Sequence, residues 1–169
     1  MAQERPGVSG SAERPARPLD AADRRMLAAL IQDGRISMRA LAARLHLSRA
    51  NVYARLERLL ADGVIEGFTT RIRPERAGLG TSAYVSLSIE QDAWREVRRA
   101  LTATPYVDHV ALVGAEFDVL VLVRTPDNAT LREVVLGNLQ GVAGVKATRT
   151  WLVFAEDRGP GPRWDAGPG

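Results

Sequence analysis

The sequence predicts an α+β chain of two modules, three short amphipathic helices followed by a βαββαβ unit. Three observations predict it. Through the first module apolar residues recur every three or four positions, as on one face of a helix. From about residue 81 the pattern changes to alternation: Ala83, Val85, Leu87 and Ile89 are separated by Ser and Tyr, which suits a half-buried strand. The charge changes at the same place. Arg and Lys number 14 against 9 Asp and Glu up to Gly80, and 9 against 11 beyond it. A basic front half and a mildly acidic back half imply different partners for the two modules.

The remaining composition narrows the class. The chain has 169 residues, 46% of them hydrophobic, enough for one ordinary domain or two small ones. No apolar run has the length of a membrane span. The start, MAQERPGVSGSAERPARPLD, has charges and prolines where a secretory signal needs an apolar stretch, so a cytoplasmic, nucleoid-associated protein is expected. There is no cysteine, hence no disulfide and no thiolate metal site. Paired carboxylates at acid–base spacing, a nucleophile–base pattern and a metal cluster are all missing, and the two histidines, His46 and His109, fall in different modules. Neither catalysis nor a cofactor is expected.

In chain order, residues 1–18 read as a disordered leader. Asp20 can cap a first helix over about 21–33, with Ala22, Met26 and Leu30 on one stripe and Leu27 and Ile31 beside it. Ser37 can cap a second helix with Leu41, Ala42 and Leu45 inward, and Ser48 a third with Val52, Leu56, Leu59 and Leu60 inward. Gly63 is a C-terminal stop. Residues 67–80 read as a strand or short hairpin, then a linker. The second module, 81–155, has the first strand, a helix with Trp94, Val97 and Leu101 inward, and strands 107–113 and 117–124 around a turn at Gly114–Glu116. Pro126 and Asp127 open a second helix, with Leu131, Val134, Val135 and Leu139 inward, and 145–154 is the last strand. This order is ferredoxin-like, an antiparallel sheet with helices on one face. Residues 156–169 read as a disordered tail.

The second and third helices are joined by His46-Leu47-Ser48, and the third carries basic and amide side chains. That is a helix-turn-helix, winged-helix-like in its setting, over residues 19–66. At 100° per residue Ala50, Ala54, Glu57 and Ala61 lie opposite the buried side, flanked by Asn51, Arg55 and Arg58. The pattern points to double-stranded DNA. Arg49 and Asn51, in the first turn, are placed for base edges, and Ala50 and Ala54 for close approach and thymine methyls. Arg55 and Arg58, with Arg39 and Arg44 on the second helix, are candidates for phosphate. Ser48 and Tyr53 complete the candidate surface. His46 sits where a left-handed backbone favours glycine, and histidine tolerates that region better than most residues. A positive φ is expected there, and neither a metal nor a catalytic role.

On these residues the chain resembles the Lrp/AsnC (feast/famine) transcriptional regulators. The first module shares Leu19-Asp20, Asp23, Leu27, Asp33-Gly34-Arg35, Leu41-Ala42, Leu47-Ser48, Val52, Arg55, Leu59 and Gly63-Val64-Ile65; the second shares Pro105-Tyr106-Val107, Phe117-Asp118, Pro126-Asp127, Gly144-Val145 and Thr150. The resemblance implies a sequence-specific DNA-binding regulator that forms homodimers through its second domain, often octamers, and responds to a small-molecule effector, typically an amino acid. It implies effector contacts at Gly114, Ala115, Glu116 and Asp118. Asp118 reads either as a hydrogen-bond partner of an effector amino group or as a carboxylate capping the turn. The family's usual glycine is replaced by Ala115, so this turn is expected to be reshaped. An architectural protein that compacts DNA with little sequence preference is the alternative.

Overall fold

A computed structural model describes residues 17–114, 116–162 and 164. The expected leader, except Arg17 and Pro18, most of the tail's last seven residues, and Ala115 of the expected effector turn lie outside them. The described residues divide into two compact units, one of residues 17–70 with those beyond 158, the other within 71–158.

The first unit is three helices: α1 (Ala21–Gln32), α2 (Met38–Leu45) and α3 (Arg49–Ala61). Each begins at the side chain expected to cap it. Asp20 accepts from the Asp23 N–H and Asp23 from the Asp20 N–H, a reciprocal box that satisfies two free donors. Ser37 accepts from Ala40 N–H and Ser48 from Asn51 N–H. Met26, Leu41, Val52 and Leu59 are fully enclosed in the shared core, with Leu27, Leu30 and Leu45 around them. No helix this short is stable alone, so this burial holds the unit together. Two expected inward residues are exposed instead, Ile31 and Leu60; each lies at the edge of its helix's apolar stripe, beyond reach of the small core. His46 closes α2 in the left-handed region, φ 55° and ψ 44°, as its position in the turn requires.

The expected strand in residues 67–73 does not form, and no wing hairpin follows α3 among the described residues. Its apolar residues find no partner strand among the described residues, and Phe68 and Ile72 stay exposed. A 3-10 turn, Pro74–Ala77, follows.

The second unit is a four-stranded antiparallel sheet in the order β2-β3-β1-β4, from β1 (Thr81–Ile89), β2 (Val107–Leu112), β3 (Val119–Thr125) and β4 (Val145–Val153). The helices are α4 (Trp94–Ala103) and α5 (Asn128–Glu133), which runs on into a π-helical turn, Val134–Leu139. Ala83, Val85, Leu87, Val121 and Val123 pack with Val97, Leu101, Leu131, Val134, Val135 and Leu139 in one core. Alternation puts Tyr84, Leu122, Arg124 and Trp151 on the other face. There Tyr84 and Trp151 are exposed cross-strand neighbours.

Three local features position the sheet. Gly144 has φ +89°, and a Cβ there would lie 2.5 Å from the Ala93 Cβ, so glycine is required by backbone and by space alike. Tyr106 also has a positive φ, 68°, with no mark of it in the sequence; its carbonyl accepts from the Arg124 N–H beside the irregularity in the β2–β3 register. Arg124, nine-tenths buried, donates to Asp108, Ser82 and Glu156. The Glu156 ion pair, 2.9 Å, fastens the start of the expected disordered tail to the sheet.

Candidate nucleic-acid interface and effector loop

The third helix buries Val52 and Leu59 and leaves Arg49, Ala50, Asn51, Tyr53 and Ala54 exposed, with Ser48 exposed at its start and Arg39 on α2. The first turn therefore presents the residue types expected to meet a duplex. Arg44, in the last turn of α2, donates to the Gln32 side chain of α1.

Arg55 and Arg58, read from the sequence as candidates for phosphate, are paired with the carboxylates at the start of α1, Asp20 and Asp23. Arg55 Nη1 lies 2.6 Å from Asp20 Oδ2 and 2.7 Å from Asp23 Oδ1. Arg58 Nη2 lies 2.6 Å from Asp23 Oδ2, and its Nη1 is 3.7 Å from Asp62. Asp23 is buried, and its two oxygens each take one arginine. Burial by itself pushes the Asp23 pKa up; the hydrogen bonds from Arg55 and Arg58 outweigh it, and the carboxyl is held below the usual aspartate range. Asp20 is lowered by the Asp23 backbone N–H and then by Arg55. The Arg55 guanidinium is raised chiefly by its bonds to Asp20 and Asp23. The arginines flanking the exposed strip thus fix the third helix to the first. A shallow concavity lined by Arg17, Asp20, Asn51, Ala54, Arg55 and Arg58 marks the place. The sequence carried a signal for this in Asp20-x-x-Asp23, where the second acid must be close to the helix start.

In the second unit Gly114 and Glu116 are exposed, and Asp118 is half-buried. Asp118 Oδ2 accepts from the Ile89 N–H at 2.8 Å, and its own N–H donates to the Leu87 carbonyl. The carboxylate thereby satisfies a strand-end donor where the β1–β4 register shifts at Ser88/Ile89. His109 lies on β2 opposite Leu122, and its side chain is exposed.

Three helices with a tight second turn, joined to a ferredoxin-like sheet, define a helix-turn-helix regulator with a separate sensing domain. Residues 19–66 match the winged helix-turn-helix DNA-binding family, and residues 82–158 match the Lrp/AsnC ligand binding domain. The chain is 36% identical over 150 residues to the HTH-type transcriptional regulator AldR of Mycolicibacterium smegmatis, covering 87% of this chain and 88% of AldR. It is 31% identical over 149 residues to the leucine-responsive regulatory protein of Escherichia coli K12, covering 86% and 91%. The crystal structure of a Neisseria meningitidis transcriptional regulator in complex with L-Met superposes with a TM-score of 0.76 at 26% identity, covering 84% of this chain and 94% of that one. The chain belongs to the Lrp/AsnC family: it is a transcriptional regulator with a helix-turn-helix DNA-binding module and a ligand-binding domain.

Proposed function

We propose that this regulator reads a specific duplex sequence as a homodimer, and that a small amino acid bound to the second domain changes its assembly or its hold on DNA. The observation that carries the reading is the exposed first turn of α3, where Arg49, Ala50, Asn51, Tyr53 and Ala54 stand clear of the core. Arg49 and Asn51 meet base edges, with Ala50 and Ala54 allowing close approach and Ser48 and Tyr53 beside them. Arg39 and Arg44 take phosphate, and Arg55 and Arg58 hold the helix in place. The sheet face with Tyr84 and Trp151 exposed supports pairing with a second copy, and dimers assemble further, as far as octamers. Gly114, Ala115, Glu116 and Asp118 form the effector loop, with Asp118 shaping it through its bond to Ile89. The protein works in the cytoplasm, on the nucleoid.

The amino-acid class is supported by the L-Met complex of the neisserial regulator. An effector changes the state it contacts better, by no more than its difference in affinity. The test is a thermal-shift screen of the common amino acids, followed by DNA binding with any hit. A ligand at about 100 times its dissociation constant adds about 2.7 kcal/mol of stability. A hit that moves both melting and DNA affinity supports the reading. Uniform binding to random and selected duplexes, with no response to any amino acid, points instead to an architectural role.

A further inference from the structure

The amide of Asn51 is not free to turn. Its backbone N–H is fixed on Ser48 Oγ, 3.2 Å away, at the start of α3. Its Oδ1 accepts from Arg55 Nε at 2.7 Å, and Arg55 is itself anchored on Asp20 and on Asp23, whose side chain is only 1% exposed. A line of contacts therefore runs from a buried carboxylate through a guanidinium to an exposed side chain in the first turn. A guanidinium nitrogen can only donate, so the amide atom facing it has to be the oxygen. Turning the amide over would break this bond and set its NH2 group against a cation. No described residue accepts from Asn51 Nδ2, so Asn51 offers its surroundings two N–H donors.

This biases what the side chain can recognise, because Arg55 takes one of the two lone pairs of Oδ1 while both N–H donors stay open. An asparagine that grips adenine uses oxygen and nitrogen together, accepting from N6 and donating to N7. Here the oxygen faces Arg55, along the helix. Guanine presents two acceptors side by side, O6 and N7, and no donor near them. We propose that Asn51 selects guanine in each half-site, and that Arg55 is a positioning residue for that choice. This rests on the DNA-binding reading above and names the base edge that it recognises.

The test is selection of bound duplexes from a random pool, with the preference at each position quantified. The wild-type chain should enrich a motif with one guanine position per half-site, favoured over adenine about tenfold, the lower part of the range for a good base contact. Asn51→Ala should flatten that position and leave the others unchanged. Asn51→Asp, which exchanges the donor group for an acceptor, should lose guanine and move towards cytosine, whose N4 donates. Arg55→Lys keeps a cation beside Asp23 but loses the Nε donor. It should lower the guanine-to-adenine ratio at that position severalfold, whereas a purely structural role would weaken all positions alike. A motif that Asn51→Ala leaves intact, or an adenine at the position it flattens, overturns the assignment and leaves DNA binding standing. A wild-type chain that enriches no motif overturns both.

Discussion

Arg58 Nη2 lies 2.6 Å from Asp23 Oδ2, and the aspartate side chain it meets is 1% exposed while the arginine side chain is 25% exposed. A buried acid between two partly wet arginines is costly to strip of its partners. Losing one partner of a fully buried pair costs about 3–5 kcal/mol. Arg58→Ala leaves Arg55 on Asp23 and should cost less, about 1 kcal/mol. Removing both arginines strands the charge, so the double variant should lose more than the two single losses together. Urea midpoints of the four proteins measure this; simple additivity would show that the arginines do not share Asp23.

The same network makes the first unit acid-sensitive. Asp20 and Asp23 both titrate below the usual aspartate range. A carboxyl whose pKa is depressed by folding contributes stability at pH values above its unfolded pKa, and that contribution is lost as pH falls through the folded one. Melting temperature should therefore hold steady near neutrality and fall from about pH 5 downward. Asp23→Asn should start lower and show a shallower fall. An equal slope in both proteins would place the acid sensitivity elsewhere.

The fold was legible in the sequence because its signals are local. Caps at Asp20, Ser37 and Ser48, alternation from Ala83 to Ile89, and Leu131, Val134, Val135 and Leu139 each depend on neighbours a few residues away. What was not legible depends on residues far along the chain. Arg55 looks like a phosphate grip on a helical wheel, and only tertiary packing brings Asp20, 35 residues earlier, to within 2.6 Å. Residues 67–73 have strand composition but no strand to pair with among the described residues. Tyr106 takes a positive φ with no sequence mark, because the requirement comes from the β2–β3 pairing beside it.

His46 provides a direct measure of the turn's demand. A left-handed backbone costs a residue with a side chain about 1–2 kcal/mol, partly offset by the greater chain entropy glycine loses on folding. His46→Gly should raise stability by about 0.5 kcal/mol, and the β-branched His46→Val should lower it by about 1 kcal/mol. A loss of stability with glycine would mean that the imidazole makes a contribution of its own.

Gly144 is the second unit's strictest position. An alanine there meets the Ala93 Cβ at 2.5 Å and must hold φ near +89°. Overpacking and backbone strain together should cost about 3 kcal/mol. Adding Ala93→Gly removes the clash and leaves the strain, so melting should recover only in part. Full recovery would show that space alone, and not the backbone, selects glycine.

The division of labour among the arginines can be read from salt dependence. A side chain that neutralises a phosphate releases a condensed cation, so its loss lowers the slope of log affinity against log salt by about one unit. Arg39 is exposed on α2 and has no carboxylate partner among the described residues, whereas Arg58 is held by Asp23. Arg39→Ala should weaken binding to every duplex, flatten the slope by about one unit and leave folding unchanged. Arg58→Ala should instead lower the melting temperature, and at temperatures where it stays folded its slope should match the wild type. If the two results were exchanged, Arg58 would be leaving Asp23 when DNA arrives, and the interface would extend further along α3 than its first turn.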